Sequence, residues 1–157
     1  AQGLQIKIGE TLRTGSEQDT LYAQGRTTPG SIVTNAPGSS YSSYHQRGTA
    51  FDIYRADGCG AYYDKDGFFT RVGAIGVSIG LEWGGNWKSI VDKPHFQLPD
   101  WGSSTSGIKK EFKTPEEFMK TWKEEEKVVE GWQKDVNSWW YQNFSNLLIY
   151  RGKMFFF

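Results

Sequence analysis

Apolar and polar residues alternate in three short stretches of the chain. Leu4-Gln5-Ile6-Lys7-Ile8 puts its three aliphatic residues on one side, as a half-buried strand requires, and ends near Gly9. In Ala50-Phe51-Asp52-Ile53, Ala50 and Asp52 share one face while Phe51 and Ile53 point to the other. Asp92-Lys93-Pro94-His95-Phe96-Gln97-Leu98 alternates in the same way. Elsewhere the spacing is helical. Phe68, Phe69, Val72, Ile75, Val77 and Ile79 predict a helix, weakened by Gly73, Gly76 and Gly80, whose small size would let it pack close against a sheet. Ser16, followed three residues later by Asp19, opens a short predicted helix that runs through Leu21 and Tyr22 and ends at Gly25.

Between these elements the composition is that of turns. Thr27 to Ser42 is rich in Gly, Pro, Ser and Thr and reads as a long loop, the kind of segment that borders sites. Asp64-Lys65-Asp66-Gly67 has the opening of a calcium loop, but the later ligand positions do not follow, so a turn and a helix N-cap are expected. Beyond Trp101 the character changes. Gly102 to Gly107 is a Ser/Gly/Thr linker, and Thr114-Pro115-Glu116-Glu117 has the form of a helix start, with proline at the first helical position and acids in the first turn. Charges dominate from there to Glu130.

The 157 residues allow one ordinary domain and a short appendage. Lys and Arg number 18 and so do Asp and Glu, which gives no net field to attract nucleic acid or an anionic membrane. No run of 18 apolar residues is present, so no membrane-spanning helix is expected, and no signal peptide opens the chain. The single cysteine, Cys59, excludes an internal disulfide and a Cys-rich zinc knuckle, and is expected to be an ordinary thiol. Aromatic residues make up 16%, with seven tryptophans, more than a core alone needs and suited to stacking on sugars.

Against this background one stretch carries chemistry: Ser43-Tyr44-His45-Gln46-Arg47-Gly48-Thr49-Ala50-Phe51-Asp52. It sets an imidazole and a carboxylate seven positions apart, with Gly48 between them to turn the chain and a strand to carry Asp52. A carboxylate aimed into a cleft from a core strand costs several kcal/mol unless a cation or hydrogen bonds meet it. The second of the two histidines, His95, lies on another predicted strand. Two neutral imidazoles and one carboxylate form a catalytic zinc set with a fourth position left for water. Two satisfied histidines and a hydrogen-bonded aspartate are the alternative without a metal. No His-Glu-x-x-His is present, and with one cysteine the cysteine hydrolase reading has little support.

The pattern Ser-x-His-x-x-Gly-x-Ala-x-Asp, followed by an acid-x-x-His at Asp92 to His95, resembles the zinc peptidases of bacterial cell-wall metabolism. These are the D-alanyl-D-alanine carboxypeptidases and dipeptidases and the L-alanyl-D-glutamate endopeptidases of autolysins and phage endolysins. The resemblance runs from about Leu4 to Trp101. It implies an α+β fold, a small antiparallel sheet with flanking helices around a zinc cleft, with His45, Asp52 and His95 as ligands of Zn2+. By the same resemblance Asp92 is the general base that takes a proton from water and later protonates the leaving amine, although many members have Glu there. Glu82 is the competing carboxylate and is assigned a structural or rim position. Arg26, in Gln24-Gly25-Arg26-Thr27, reads from spacing as a solvated charge or a carbonyl cap. The family's arginine at this place instead binds the substrate carbonyl or carboxylate, a task suited to a planar, permanently charged fork. Ser43 is a candidate substrate contact, or else a turn-forming serine.

The resemblance predicts hydrolysis of the peptidoglycan stem peptide in an extracellular, cell-wall setting. Within the family, Gly80 to Gly85 and Asp92 to Phe96 look most like the L-alanyl-D-glutamate endopeptidases; a D-alanyl-D-alanine carboxypeptidase and a non-catalytic zinc-containing wall binder are the other readings. A family helix that usually precedes the first strand is not seen, which suggests a missing N-terminal segment. Gly131 to Asn143 resembles the start of a choline-binding-type wall repeat, and choline or wall carbohydrate is its implied partner. The predicted organisation is a peptidase domain over 1–102, a linker and charged helix over 103–130, and a partial repeat or loosely ordered tail over 131–157.

Overall fold

A computed structural model of the chain describes residues 3–88, 90–121, 147–150 and 153–156. A four-stranded antiparallel sheet is its centre. β1 (Ile6–Ile8), β2 (Ala50–Arg55), β3 (Glu82–Trp83) and β4 (His95–Gln97) stand in the order β1-β2-β4-β3. The α+β class and the small antiparallel sheet are those expected from the sequence.

The alternation in the strands becomes a division between two faces. Phe51 and Ile53 of β2, Phe96 of β4 and Trp83 of β3 point to one side and are buried there, with the rings of Phe51 and Phe96 stacked at 5.5 Å. Against this face packs α2 (Phe68–Ser78), which adds Phe68, Phe69 and Val72 to the core. Each large side chain buried in this way contributes about 1.5–3 kcal/mol. The helix can come close because its inner positions are glycine: a methyl group on Gly73 would overlap the Trp83 indole, and one on Gly76 would overlap the Phe96 ring. The other face carries Asp52, His95, Gln97 and Glu82. The register sets Asp52 opposite His95 and Glu82 opposite Gln97.

Asp64 and Asp66 start α2 as the turn reading predicts. Asp66 Oδ1 accepts from Phe68 N at 3.2 Å and Asp64 Oδ1 from Phe69 N at 2.8 Å. Their remaining capacity goes to Arg55 and Lys93, at 2.8 and 2.6 Å. α1 (Gly15–Ala23) begins slightly earlier than its predicted Ser16/Asp19 start, because Thr14 and Glu17 form a reciprocal capping box. The long loop after α1 is held by that helix. Buried Gln18 donates to Thr34 Oγ1 and Ala36 O, and Asp19 accepts from Gly38 N at 2.7 Å.

Past Trp101 the polypeptide stays on the core. α3 (Ser106–Glu111) and α4 (Pro115–Met119) place fully buried Ile108 and Phe118 in the same cluster as Phe51 and Trp83, with Trp101 and Phe112 packed around them. α4 has the predicted start, Thr114 capping Glu117 N with Pro115 at the first turn. Buried Arg47 donates to the carbonyls of Phe112 and Lys113, and Tyr44 Oη donates to Gly102 O at 2.6 Å. Two further strands, β5 (Leu147–Tyr150) and β6 (Lys153–Phe156), pair antiparallel. The expected wall repeat beginning at Gly131 otherwise lies outside the described residues.

Gly76→Ala should lower stability by about 1–3 kcal/mol, since Phe96 is wedged between the helix and the sheet and has nowhere to move. Gly15→Ala, at an α1 position where a methyl meets nothing, should be neutral or slightly stabilising. Denaturant unfolding of both variants checks this, and a Gly76→Ala protein as stable as its parent would contradict the close approach.

Candidate metal centre

The Asp52–His95 register delivers two of the three converging side chains, and a 3₁₀ turn over His45–Arg47 delivers the third. That turn ends on Gly48 at φ 63, the left-handed conformation that glycine adopts without a Cβ penalty. His45 and His95 are buried at 5% and 6% exposure, and Asp52 is half-buried. His45 Nε2 lies 3.2 Å from His95 Nδ1 and 3.3 Å from Asp52 Oδ1, while His95 Nδ1 is 3.1 Å from the same carboxylate oxygen.

The outer ring nitrogens show what these inner atoms are. His45 Nδ1 meets Thr11 O at 2.9 Å, and His95 Nε2 meets Gln97 Oε1 at 3.0 Å. Both partners are acceptors, so in the neutral imidazoles the protons sit on the outer nitrogens and the inner ones carry lone pairs. Two lone pairs and a carboxylate oxygen then face one another across a space that only a cation or a proton can reconcile. The triangle of 3.1–3.3 Å edges also matches the donor spacing of about 3.3 Å expected for tetrahedral bonds of about 2.0–2.1 Å. These residues fit a divalent metal and can hold one.

Burial raises the Asp52 carboxyl, but hydrogen bonds and charge from His45 and His95 outweigh it and hold it well below the usual range. Burial pulls His95 down, yet hydrogen bonds to Asp52 and Gln97 and the negative charges of Asp52 and Asp92 leave it raised.

Asp92 sits in the turn that enters β4. His95 N donates to Asp92 O at 3.2 Å, Asp92 N donates to Gly84 O at 3.0 Å, and Trp83 Nε1 donates to Lys93 O at 2.7 Å. Pro94 begins the ladder by accepting from Ile53 N at 3.0 Å, a strand-start position where its missing N–H costs nothing. Burial pushes the Asp92 carboxyl up and the Asp52 charge adds to this, while His95, His45 and Arg13 pull it back. Its carboxylate makes no hydrogen bond among the described residues, so both oxygens are free to take a proton.

Arg26 is elsewhere in character. It is exposed, donates to Tyr22 O at 2.6 Å and Asn35 Oδ1 at 3.0 Å, and lies over the Tyr22 ring at 4.0 Å, which is the carbonyl-cap geometry. The arginine whose charge reaches Asp92 is Arg13, which the sequence did not single out. Its N–H donates to His45 O at 3.1 Å, its guanidinium holds Gln18 Oε1 at 2.9 Å and Glu10 at 3.5 Å, and its Nε is buried without a partner. Nothing in Thr11-Leu12-Arg13 marks this in sequence; the position follows from β1 leading into α1 beneath the His45 turn. Ser43 opens that turn, its carbonyl accepting from Gln46 N at 3.1 Å. Glu82 accepts from Trp87 Nε1 and Gln97 Nε2 at 2.7 and 3.0 Å. Cys59 is free and exposed. No helix among the described residues is long and apolar enough to cross a membrane.

Residues 37–98 match the family model described as D-alanyl-D-alanine carboxypeptidase. The peptidoglycan L-alanyl-D-glutamate endopeptidase CwlK of Bacillus subtilis (strain 168) is 39% identical over 106 residues, 62% of this chain and 62% of CwlK. The L-alanyl-D-glutamate peptidase of Listeria phage A118 is 32% identical over 113 residues, 68% of this chain and 36% of that protein. Among solved structures, the Serratia marcescens L-Ala D-Glu endopeptidase ChiX is 23% identical with a TM-score of 0.45, covering 60% of this chain and 67% of its own. The chain spans less than two thirds of the length of the two curated relatives. The matched segment contains His45, Asp52, Asp92 and His95, so the likeness to this family extends over the convergent cluster and the aspartate beside it.

Proposed function

We propose that this protein is a zinc-dependent peptidoglycan hydrolase that cleaves the L-alanyl-D-glutamate bond of the stem peptide, acting at the cell wall. One observation carries the reading: two imidazole nitrogens and a carboxylate oxygen converge within 3.1–3.3 Å beside a carboxylate with no hydrogen-bond partner among the described residues. The printed activities of CwlK and the phage peptidase support the choice of bond. His45 Nε2, His95 Nδ1 and Asp52 would hold the metal, which supplies Lewis acidity and lowers the pKa of a bound water to about 7.

The chain's own residues supply the rest. Asp92 accepts a proton from the attacking water and returns it to the leaving amine nitrogen; its raised pKa narrows the gap between the two transfers. Negative charge that develops on the scissile carbonyl oxygen needs a fixed donor, and Arg13 answers that need better than Arg26. Its charge reaches Asp92 and its backbone N–H is bonded to the His45 carbonyl, whereas Arg26 is exposed and engaged locally. Ser43 remains a candidate contact to the substrate backbone.

Mass spectrometry of soluble peptidoglycan fragments, with and without chelator and with zinc added back, tests the reaction. New D-glutamate N-termini that require zinc are expected. Loss of terminal D-alanine alone would assign a carboxypeptidase, and no cleavage by stoichiometrically loaded protein would assign a binder.

Asp92→Asn should keep zinc and lose about 10²–10⁴-fold in turnover. A raised pKa means that the folded state favours the neutral acid, so ionised Asp92 destabilises the fold above that pKa and the amide removes the cost. Asp92→Asn should therefore melt no lower than the parent at neutral pH. Retained hydrolysis in this variant would remove Asp92 from the reaction. Arg13→Lys, which keeps the charge and loses the fork, should lower kcat/KM about 10²-fold with zinc still bound, whereas Arg26→Ala should change it less than threefold. The reverse ranking in steady-state kinetics would return the role to Arg26.

A further inference from the structure

Outside the cluster, Trp87 Nε1 donates to Glu82 Oε1 at 2.7 Å, Gln97 Nε2 donates to Glu82 Oε2 at 3.0 Å, and Gln97 Oε1 faces His95 Nε2 at 3.0 Å. Trp87 also lays its ring against the His95 imidazole, with centroids 4.9 Å apart. Glu82 and Gln97 are cross-strand partners, and Gln97 is 1% exposed, so no solvent competes for its amide. The polarity of this chain of bonds has no freedom. An indole N–H only donates and a carboxylate only accepts, so Gln97 must turn its NH2 to Glu82 and its oxygen to His95. His95 Nε2 must then carry the ring proton, which leaves Nδ1 as the bare nitrogen on the cluster. His45 is held by a simpler device, one backbone carbonyl from Thr11.

We propose that Trp87, Glu82 and Gln97 form a one-way hydrogen-bond relay that fixes the tautomer and ring orientation of His95, making them positioning residues for the metal. The proposal rests on the metal reading above only for the affinity half of its test. Glu82 accordingly acts two bonds away from the cluster, which explains why a carboxylate on the same sheet face as Asp52 lies outside the convergence of His45, Asp52 and His95.

Glu82→Gln is the informative variant. It preserves shape but gives position 82 an N–H, so Gln97 can turn over, present its NH2 to His95 Nε2 and drive the proton to Nδ1. With only two histidines in the chain, long-range 1H–15N correlation spectra resolve both rings, and His45 is the internal control. At a pH where both imidazoles are neutral, metal-free wild type should show His95 protonated at Nε2. Glu82→Gln should shift it to Nδ1–H or a mixture with His45 unchanged, and Glu82→Asp should restore the wild-type pattern in part.

Zinc affinity, read by chelator competition, should fall about 10- to 100-fold in Glu82→Gln. If circular dichroism shows that this variant fails to fold, Gln97→Met replaces it, with a mixed tautomer and a similar loss of affinity expected. A His95 protonated at Nδ1 in wild type, or a folded relay variant with wild-type tautomer and zinc affinity, would overturn the proposal. Wild-type protein that takes up no zinc would defeat the metal reading, and the tautomer spectra would then decide the relay alone.

Discussion

The site depends on the register between β2 and β4. Asp52 and His95 face each other only because Ala50 pairs with Gln97 and Phe51 with Phe96. A slip of one residue in either strand would send its polar side chain into the apolar face and bring an aromatic ring to the cluster. The register is held from both sides of the sheet. On one side, Phe51, Phe96 and Trp83 are locked under α2, where Gly73 and Gly76 leave no slack. On the other, the edge continues through Gly9 N to Asp52 O and Asp52 N to Glu10 O, both 2.8 Å, so the residue that bears the carboxylate is paired on both flanks. Hydrophobic packing thereby sets the positions of polar atoms it never touches.

The same sheet shows how burial is used in two opposite ways. At Asp52 the cost of taking a carboxylate out of water is offset by two imidazoles, and the group stays ionised. At Asp92, one turn before β4, burial and the neighbouring negative charge act in the same direction and raise it. Two aspartates at one site are driven to different proton affinities by their surroundings. Arg55 illustrates the structural counterpart. Its guanidinium is buried against the Phe68 ring at 4.5 Å and held by Asp57 and Asp66.

What could be read in the sequence was whatever periodicity and fixed spacing encode. Alternation located β1, β2 and β4, and the interval from His45 to Asp52 with Gly48 between them located the convergent set. The start of α1 was placed two residues late because Ser16 and Asp19 imitate a cap, whereas Thr14 with Glu17 satisfies two backbone donors and prevails. Arg13, Gln18 and Gln97 were invisible because their roles arise from neighbours 5 to 18 positions away, or across a sheet, that no local pattern records. The stretch after Trp101 looked like a linker by composition. Ile108 with Phe112 four residues on, and then Phe118, is the apolar signal that the serines and glycines obscured.

Arg47 gives that last stretch a meaning beyond packing. Two positions after His45, it is fastened to the carbonyls of Phe112 and Lys113, so the turn that presents this histidine is stitched to the polypeptide some 65 residues later. A junction for grafting another module therefore lies after Thr121. A graft made at the flexible-looking run of 102–107 would carry away the fastening of the His45 turn along with the segment it replaced.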